Sequence, residues 1–207
     1  MIKPKSLLKG VGNHKITNIY YDNWSNSYDA TLNNWNYRAP KKVSMILKSY
    51  LSMPPKNILD IACGTGLFAE KILKFFPQSS IDGLDISRKI LNQARNKKIY
   101  RKLSCSNFDK KLILDQEYDV VSLIGAMTYS ENPKKLILKI HDLTKPRGFF
   151  IFTHRNDLWK KQNFSNLIES LLNKWKKILI SRPLLYLPKN KDFTDKIKMK
   201  IVLLQKN

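Results

Sequence analysis

The chain of 207 residues is short of several things: two cysteines, seven glycines, three histidines, and 16 acidic residues against 38 basic ones. Two cysteines, Cys63 and Cys105, cannot staple a domain of this size. No C-x-x-C pair or Cys/His cluster suggests a metal, so both are expected to be reduced thiols in a cytoplasmic protein. No apolar run approaches the roughly 20 residues of a membrane span. The opening "MIKPKSLLKG" is basic but lacks a long apolar stretch and a small-residue cleavage site, so no secretory leader is expected. There is no repeat and no Gly/Ser linker. The shortage of acid leaves a formal charge of +22. Such a surface attracts phosphates, anionic lipid or acidic metabolites. The lysines are spread along the chain rather than gathered in one arm. An AT-rich genome therefore accounts for the charge ahead of an anionic small substrate or a nucleic acid.

What is present suits one domain, with a cap over 1–39 and a core over 40–207. The cap segment is polar and aromatic, and Tyr20, Tyr21, Trp24, Tyr28, Trp35 and Tyr37 follow no clean period, which predicts short helices. Pro40 opens a helix carrying Val43, Ile46, Leu47, Tyr50 and Leu51. Strand and helix then alternate: "ILDIA", a helix over 66–76 with Leu67, Ile72, Leu73 and Phe76 inward, "SIDGLDI", and the helix "RKILNQARN" capped by Ser87. There follow a short strand in "YRKLSCSNF", the buried strand "YDVVSLIGA", a helix opened by Asn132 and Pro133, and "RGFFIFTHR". Apolar residues from Phe164 to Leu179, Trp175 among them, trace a helix face. "RPLLYLP" and "KIKMKIVLLQK" are expected as an antiparallel edge pair joined at "PKNKDFTD". Alternation of this kind implies an α/β, doubly wound, mostly parallel sheet.

Residues 58–72 read "ILDIACGTGLFAEKI", a G-x-G-x-x-A loop between strand and helix. In an open parallel sheet such a loop faces a ligand beyond the carboxyl ends of the strands. Gly64 and Gly66 let the ligand press on backbone amides that suit a carboxylate or phosphate. Asp60 can hold a cation, and Asp85, about 20 residues on, stands where an acid takes ribose hydroxyls. The loop alone fits either the pyrophosphate of a dinucleotide or the amino-acid end of S-adenosylmethionine. Four features favour the second. The first strand begins only at residue 58. Asp60 suits an ammonium and opposes pyrophosphate. "SNF" offers Asn107 to an adenine edge, with Phe108 beside it. The chain ends in an antiparallel pair.

Over residues 20–205 the sequence resembles class I S-adenosylmethionine-dependent methyltransferases, closest to the small proteins grouped with the Williams-Beuren region methyltransferase-like family. The similarity lies in "YDNWSNSYDATLNNWNYRAP", "ILDIACGTGLFAEKI", "IDGLDIS", "YRKL" and "FTHRNDLW". The resemblance implies a Rossmann-like seven-stranded sheet of order 3-2-1-4-5-7-6, strand 7 antiparallel, under an N-terminal helical cap. It implies that Tyr20, Trp24 and Tyr28 fold over S-adenosylmethionine. The remaining cofactor contacts are then Asp60, Ala62, Gly64, Thr65, Gly66, Leu67, Asp85, Ile86, Asn107, Phe108, Ile124 and Gly125. The family usually carries Asp where Asn107 stands, so weaker cofactor affinity is expected. On this placement Gly66→Val is expected to block the cofactor while sparing the fold.

Methyl transfer chiefly requires aligning a nucleophile with the methyl and excluding water. Candidates at the strand ends are Tyr129 and His154 as catalytic residues, with Tyr21, Tyr129, His154 and Arg155 toward substrate. His154 is either a base or a strand-end histidine bonded to backbone; Arg155 suits an anionic substrate. His14 and His141 read as surface residues, Trp159 and Trp175 as packing anchors. "LIGAMTY" replaces the N/D-P-P-F/Y tetrapeptide, which argues against adenine-N6 and glutamine methylation. Neither cysteine has the Pro-Cys setting of cytosine-C5 enzymes. The expectation is methylation of O, N or S of a small molecule, with Arg155 pointing to an anionic one, by a monomer or homodimer. The alternatives are an RNA or protein methyltransferase using the basic surface, or a non-catalytic S-adenosylmethionine-binding module.

Overall fold

A computed structural model describes residues 14–207, apart from 111, 113, 115, 194 and 195. Residues 1–13 of the expected cap, the side chain of His14 and the end of the "PKNKDFTD" loop lie outside the described residues. The cap is helical as its composition predicts: α1 (His14–Trp24), a single 3-10 turn, and α2 (Tyr28–Asn34). Helix α3 (Ala39–Tyr50) starts on Pro40 and turns Val43 and Leu47 inward.

The alternating section follows: β1 (Asn57–Ile61), α4 (Leu67–Ile72), β2 (Ser80–Asp85), α5 (Arg88–Asn96), β3 (Lys102–Cys105), β4 (Tyr118–Leu123), α6 (Pro133–Leu143) and β5 (Thr144–Arg155). Two caps form as their sequences require. Ser87 Oγ accepts from the Ile90 N–H at 3.1 Å, and Asn132 Oδ1 accepts from the Lys135 N–H at 3.0 Å. The helix expected over 66–76 is shorter, and Phe68 and Ala69 are buried on it along with Ile72.

The chain closes with α7 (Asn156–Lys161), α8 (Phe164–Glu169), β6 (Trp175–Ile180), the two-residue β7 (Leu184–Leu185) and β8 (Lys198–Lys206). The sheet order is β3-β2-β1-β4-β5-β8-β6, with β7 beside β8. The strands of β1 through β5 pair in parallel, and β8 runs antiparallel to β5 and β6. This is the 3-2-1-4-5-7-6 arrangement with one short strand added. The helix expected through Leu179 stops at Glu169. Trp175–Ile180 is instead the sixth strand, paired with β8 from Trp175↔Lys206 to Ile180↔Val202 with a register shift between Lys177 and Leu179. Its β-branched Ile178 and Ile180 suit a pleat, and pairing satisfies an edge of β8 that would otherwise lie open. "RPLLYLP" contributes only Leu184–Leu185 to the sheet.

Alternation along the central strands divides the core. Leu59, Ile61, Val121, Leu123, Phe150 and Phe152 pack on the α6 and α8 side. Ile58, Val120 and Ile151 pack with Val43, Leu47, Phe68 and Ile72 on the other side. Trp175 is fully buried against Phe150 and His141. His141 is thus half-buried against an indole, not the surface residue its helix position suggests. No helix among the described residues is long and apolar enough to cross a membrane.

Candidate functional site

A cleft of about 920 Å³, counting its open mouth, lies over the carboxyl ends of β1, β2 and β4. Its floor is Ala62, Gly64, Asp85, Ile86, Asn107, Phe108, Ile124 and Gly125. Its roof is Tyr21, Trp24 and Tyr28 from the cap, and Tyr129 and Arg155 close one end. A smaller chamber of about 320 Å³ shares Tyr28, Tyr37, Ala62, Gly64 and Ile124 with it, and adds Asp60, Thr65 and Leu67. Among the described residues, no three His, Cys, Asp or Glu side chains converge to hold a metal ion.

Asp85 ends β2 with its carboxylate turned back on the loop. Its Oδ2 accepts from the Gly64 N–H at 2.9 Å, and its Oδ1 from the Ser87 N–H at 2.9 Å. Burial pushes its pKa up, against the pull of these backbone donors. Gly64 has φ +57, and a Cβ there would sit 3.7 Å from the Tyr28 hydroxyl, so the loop backbone faces the cap directly. Gly125, at φ +78, leaves room for two phenols: a Cβ would stand 2.9 Å from the Tyr37 hydroxyl and 3.1 Å from that of Tyr186. Asn107 Oδ1 accepts from the Asp109 N–H at 2.9 Å, which turns the loop after β3 and leaves the amide NH₂ as a donor.

Asp60 is 1% exposed. Tyr100 Oη donates to its Oδ2 and Ser122 Oγ to its Oδ1, both at 2.8 Å. Burial outweighs these bonds and lifts its pKa to about 7. Burial also raises Tyr21, Tyr28 and Tyr37 well above an ordinary phenol. Tyr21 Oη donates to Tyr129 Oη at 3.4 Å. These phenols are hydrogen-bonding groups at neutral pH, not bases.

Some expected residues stand apart from the cleft. His154 is buried behind it, with Nδ1 2.8 Å from the Arg155 carbonyl and Nε2 2.8 Å from Gln162 Oε1. Its ring packs on Trp159 and Phe164, and burial lowers its pKa. Gly66 borders neither chamber; a Cβ there would meet Tyr100 at 3.0 Å and Ile99 at 3.3 Å. Gly66→Val would therefore act through the loop packing rather than by filling the cleft. Tyr20 does not line the cleft but packs edge-on against Tyr21 and Trp24.

Other residues reach the site without a sequence signal. Leu32, Tyr37, Tyr186, Leu187 and Phe193 form its far wall, and Trp24, Leu32, Leu187 and Phe193 make a buried cluster of their own. Two cap carboxylates clamp the roof. Asp22 Oδ1 accepts from Ser87 Oγ at 2.5 Å. Asp29 takes a short bond from Thr65 Oγ1 and an ion pair from Lys97 at 2.8 Å. Asp29→Ala is expected to speed amide exchange through residues 28–34 while β1 and β4 stay protected, as hydrogen exchange with mass spectrometry would show.

The comparisons with known proteins agree with this arrangement. A family model described as a methyltransferase domain matches residues 59–150. Methyltransferase-like protein 27 of Homo sapiens is 31% identical over 159 residues, 75% of this chain and 64% of that protein. Malonyl-[acyl-carrier protein] O-methyltransferase 2 of Ilyobacter polytropus is 35% identical over 119 residues, 56% of this chain and 44% of that protein. The chain thus spans less than two thirds of these relatives. Among solved structures, the plantazolicin methyltransferase BpumL in complex with a pentazolic desmethylPZN analog and SAH superposes with a TM-score of 0.63 at 18% identity. The match covers 93% of this chain and 90% of that one. The N-methyltransferase NodS from Bradyrhizobium japonicum, solved with S-adenosyl-L-homocysteine, gives 0.61 at 15% identity, over 78% and 83%. These likenesses establish a common fold.

Proposed function

We propose that this chain, whose residues 59–150 match a methyltransferase domain, is a class I S-adenosylmethionine-dependent methyltransferase that transfers a methyl group to O, N or S of a small molecule. The observation that carries the proposal is the Asp85 carboxylate at the floor of the cleft, tied to the glycine-loop amide and open to the ligand side. The residues present fit the cofactor. Asn107, Phe108, Ile86 and Ile90 would hold the adenine, Asp85 the ribose hydroxyls, and Gly64 with Asp60 the amino-acid end, all of them residues that line the two chambers. The cofactor supplies a methyl carbon on a sulfonium, a leaving group that needs no further activation.

The protein's own work is alignment and exclusion of water. The clamped cap lies over the glycine loop, and Tyr28 packs above Gly64. Tyr129 and Arg155 face the end of the cleft where an acceptor enters. A small acceptor is supported by the enclosure: cap and far wall meet in a buried aromatic cluster rather than an open groove.

Titration calorimetry with S-adenosylhomocysteine tests the reading. Binding in the micromolar range is expected, and absence of binding at millimolar concentration would overturn it. Gly64→Val sharpens the test. The left-handed backbone there costs a branched residue about 1–2 kcal/mol, and the side chain would push on Tyr28. Affinity for S-adenosylhomocysteine should fall at least about tenfold; unchanged affinity would remove the loop from the site.

A further inference from the structure

The acceptor end of the cleft has the chemistry of a site for one class of nucleophile. Arg155 is 8% exposed and lines the cleft. Its Nε and Nη2 donate to the two oxygens of Asp157 at 3.1 and 2.6 Å. Its Nη1 makes no hydrogen bond among the described residues, so one nitrogen of the fork is left for a ligand. The guanidinium charge is felt by Tyr129 and Tyr186, where it opposes the rise that burial imposes on both phenols. The Trp24 Nε1–H is buried with no partner among the described residues, and Trp24, 4% exposed, lines the same cleft. A buried donor without an acceptor is costly unless a ligand supplies one. The walls between these donors are Leu32, Leu187 and Phe193, all apolar.

The chamber therefore offers donors at its polar points and apolar contact elsewhere. It offers no base. The phenols hold their protons, both nitrogens of His154 are occupied outside the cleft, and Asp85 is bound to backbone amides. An alcohol, a phenol or a protonated amine would need a proton removed before it could attack. A carboxylate is ionised at neutral pH without help and matches a guanidinium edge.

We infer that the acceptor is the carboxylate of an apolar organic acid, held by Arg155 Nη1 and the Trp24 indole N–H, and that the product is its methyl ester. The inference rests on the methyltransferase reading above. A carboxylate oxygen lone pair forms the new O–CH₃ bond as the carbon–sulfur bond of the sulfonium breaks. The bonding pair stays on sulfur as a neutral thioether, and no proton changes hands.

The test uses the full chain, a tritium-labelled methyl donor, and 3-phenylpropionate and octanoate as probes, beside 3-phenylpropylamine and 3-phenylpropane-1-thiol. Label should appear on the acids and be released as methanol by alkali. 3-Phenylpropionate should raise the melting temperature of the S-adenosylhomocysteine complex. Arg155→Gln should abolish that rise and increase KM for the acid about tenfold or more, with kcat changed far less. Arg155→Lys should restore part of the affinity, and Trp24→Phe should raise KM in the same direction. Affinity of the two Arg155 variants for S-adenosylhomocysteine should stay within about twofold, showing that the fold is kept. Alkali-stable label on the amine or thiol, no transfer to either acid while S-adenosylhomocysteine binds, or an unchanged KM in Arg155→Gln would each overturn the carboxylate assignment and leave the methyltransferase reading standing. Failure of S-adenosylhomocysteine to bind would overturn both.

Discussion

Asp85→Ala is expected to weaken S-adenosylhomocysteine binding by about 1–3 kcal/mol, roughly five- to 150-fold, and to lower the melting temperature as well. Both effects come from one carboxylate. In the free protein its two oxygens accept the N–H groups of Gly64 and Ser87, so its removal leaves two donors without partners beside a buried loop. In the complex the remaining lone pairs meet the ribose diol, and charge-assisted bonds of that kind are stronger than neutral ones. Asp85→Asn separates the contributions. It keeps the volume but presents an NH₂ where one backbone N–H also points, so it should recover little of the affinity. Calorimetry on the three proteins, with melting curves alongside, makes the comparison. Wild-type affinity in Asp85→Ala would show that the ribose is held elsewhere.

The sheet was legible because its residues state their environment. Ile58, Leu59 and Ile61 have no polar face to expose, so β1 had to be central; the Ser87 and Asn132 caps announce helices by their own hydrogen bonds. Gly64, Asp85 and Asn107 could be placed because each sits at a strand end, where the topology leaves no other direction to face. The misread stretch runs from the end of α8 at Glu169 to Leu179, where the expected helix gives way to a turn and a strand. A short apolar run fits helical and extended spacing equally well, and only the open edge of β8 decides that Trp175–Ile180 is a strand. Moving that strand earlier turned "RPLLYLP" mostly into loop, which carries Tyr186 and Leu187 to the cleft. The far wall was invisible for this reason: Leu32, Tyr186 and Phe193 are distant in sequence and meet only by tertiary packing. His154 shows the converse. Its position at the end of β5 allowed either a base or a strand-end histidine bonded to backbone; Nδ1 lies on the Arg155 carbonyl, and the α7 turn brings Gln162 onto Nε2 and closes it off.

Asp60 sets stability and binding against each other as pH changes. Its carboxyl is lifted to about 7 in the folded chain, against about 4 for an unfolded aspartate. Between these values the folded state binds a proton that the unfolded state has lost. Stability is therefore complete below about pH 4, declines as pH rises, and reaches its floor above about pH 7, with a total penalty on the order of 4 kcal/mol. Asp60→Asn keeps the shape and a hydrogen-bonding partner for Tyr100 and Ser122 without ever ionising. It should be more stable than wild type by a few kcal/mol at pH 8 and nearly equal to it at pH 4, as denaturant unfolding at the two pH values would show. Ligand binding should run the other way. Asp60 borders the chamber that receives the amino-acid end of the cofactor, and a cationic ammonium there favours the ionised carboxylate. Wild-type affinity for S-adenosylhomocysteine should rise several-fold from pH 6 to pH 8, and the rise should be missing in Asp60→Asn. A stability gap that does not change with pH would mean that Asp60 is already ionised in the free protein. A pH-independent wild-type affinity would place the ammonium on another group. If both slopes appear, a carboxylate that weakens the empty fold at neutral pH is retained because it is ionised when the methyl donor arrives.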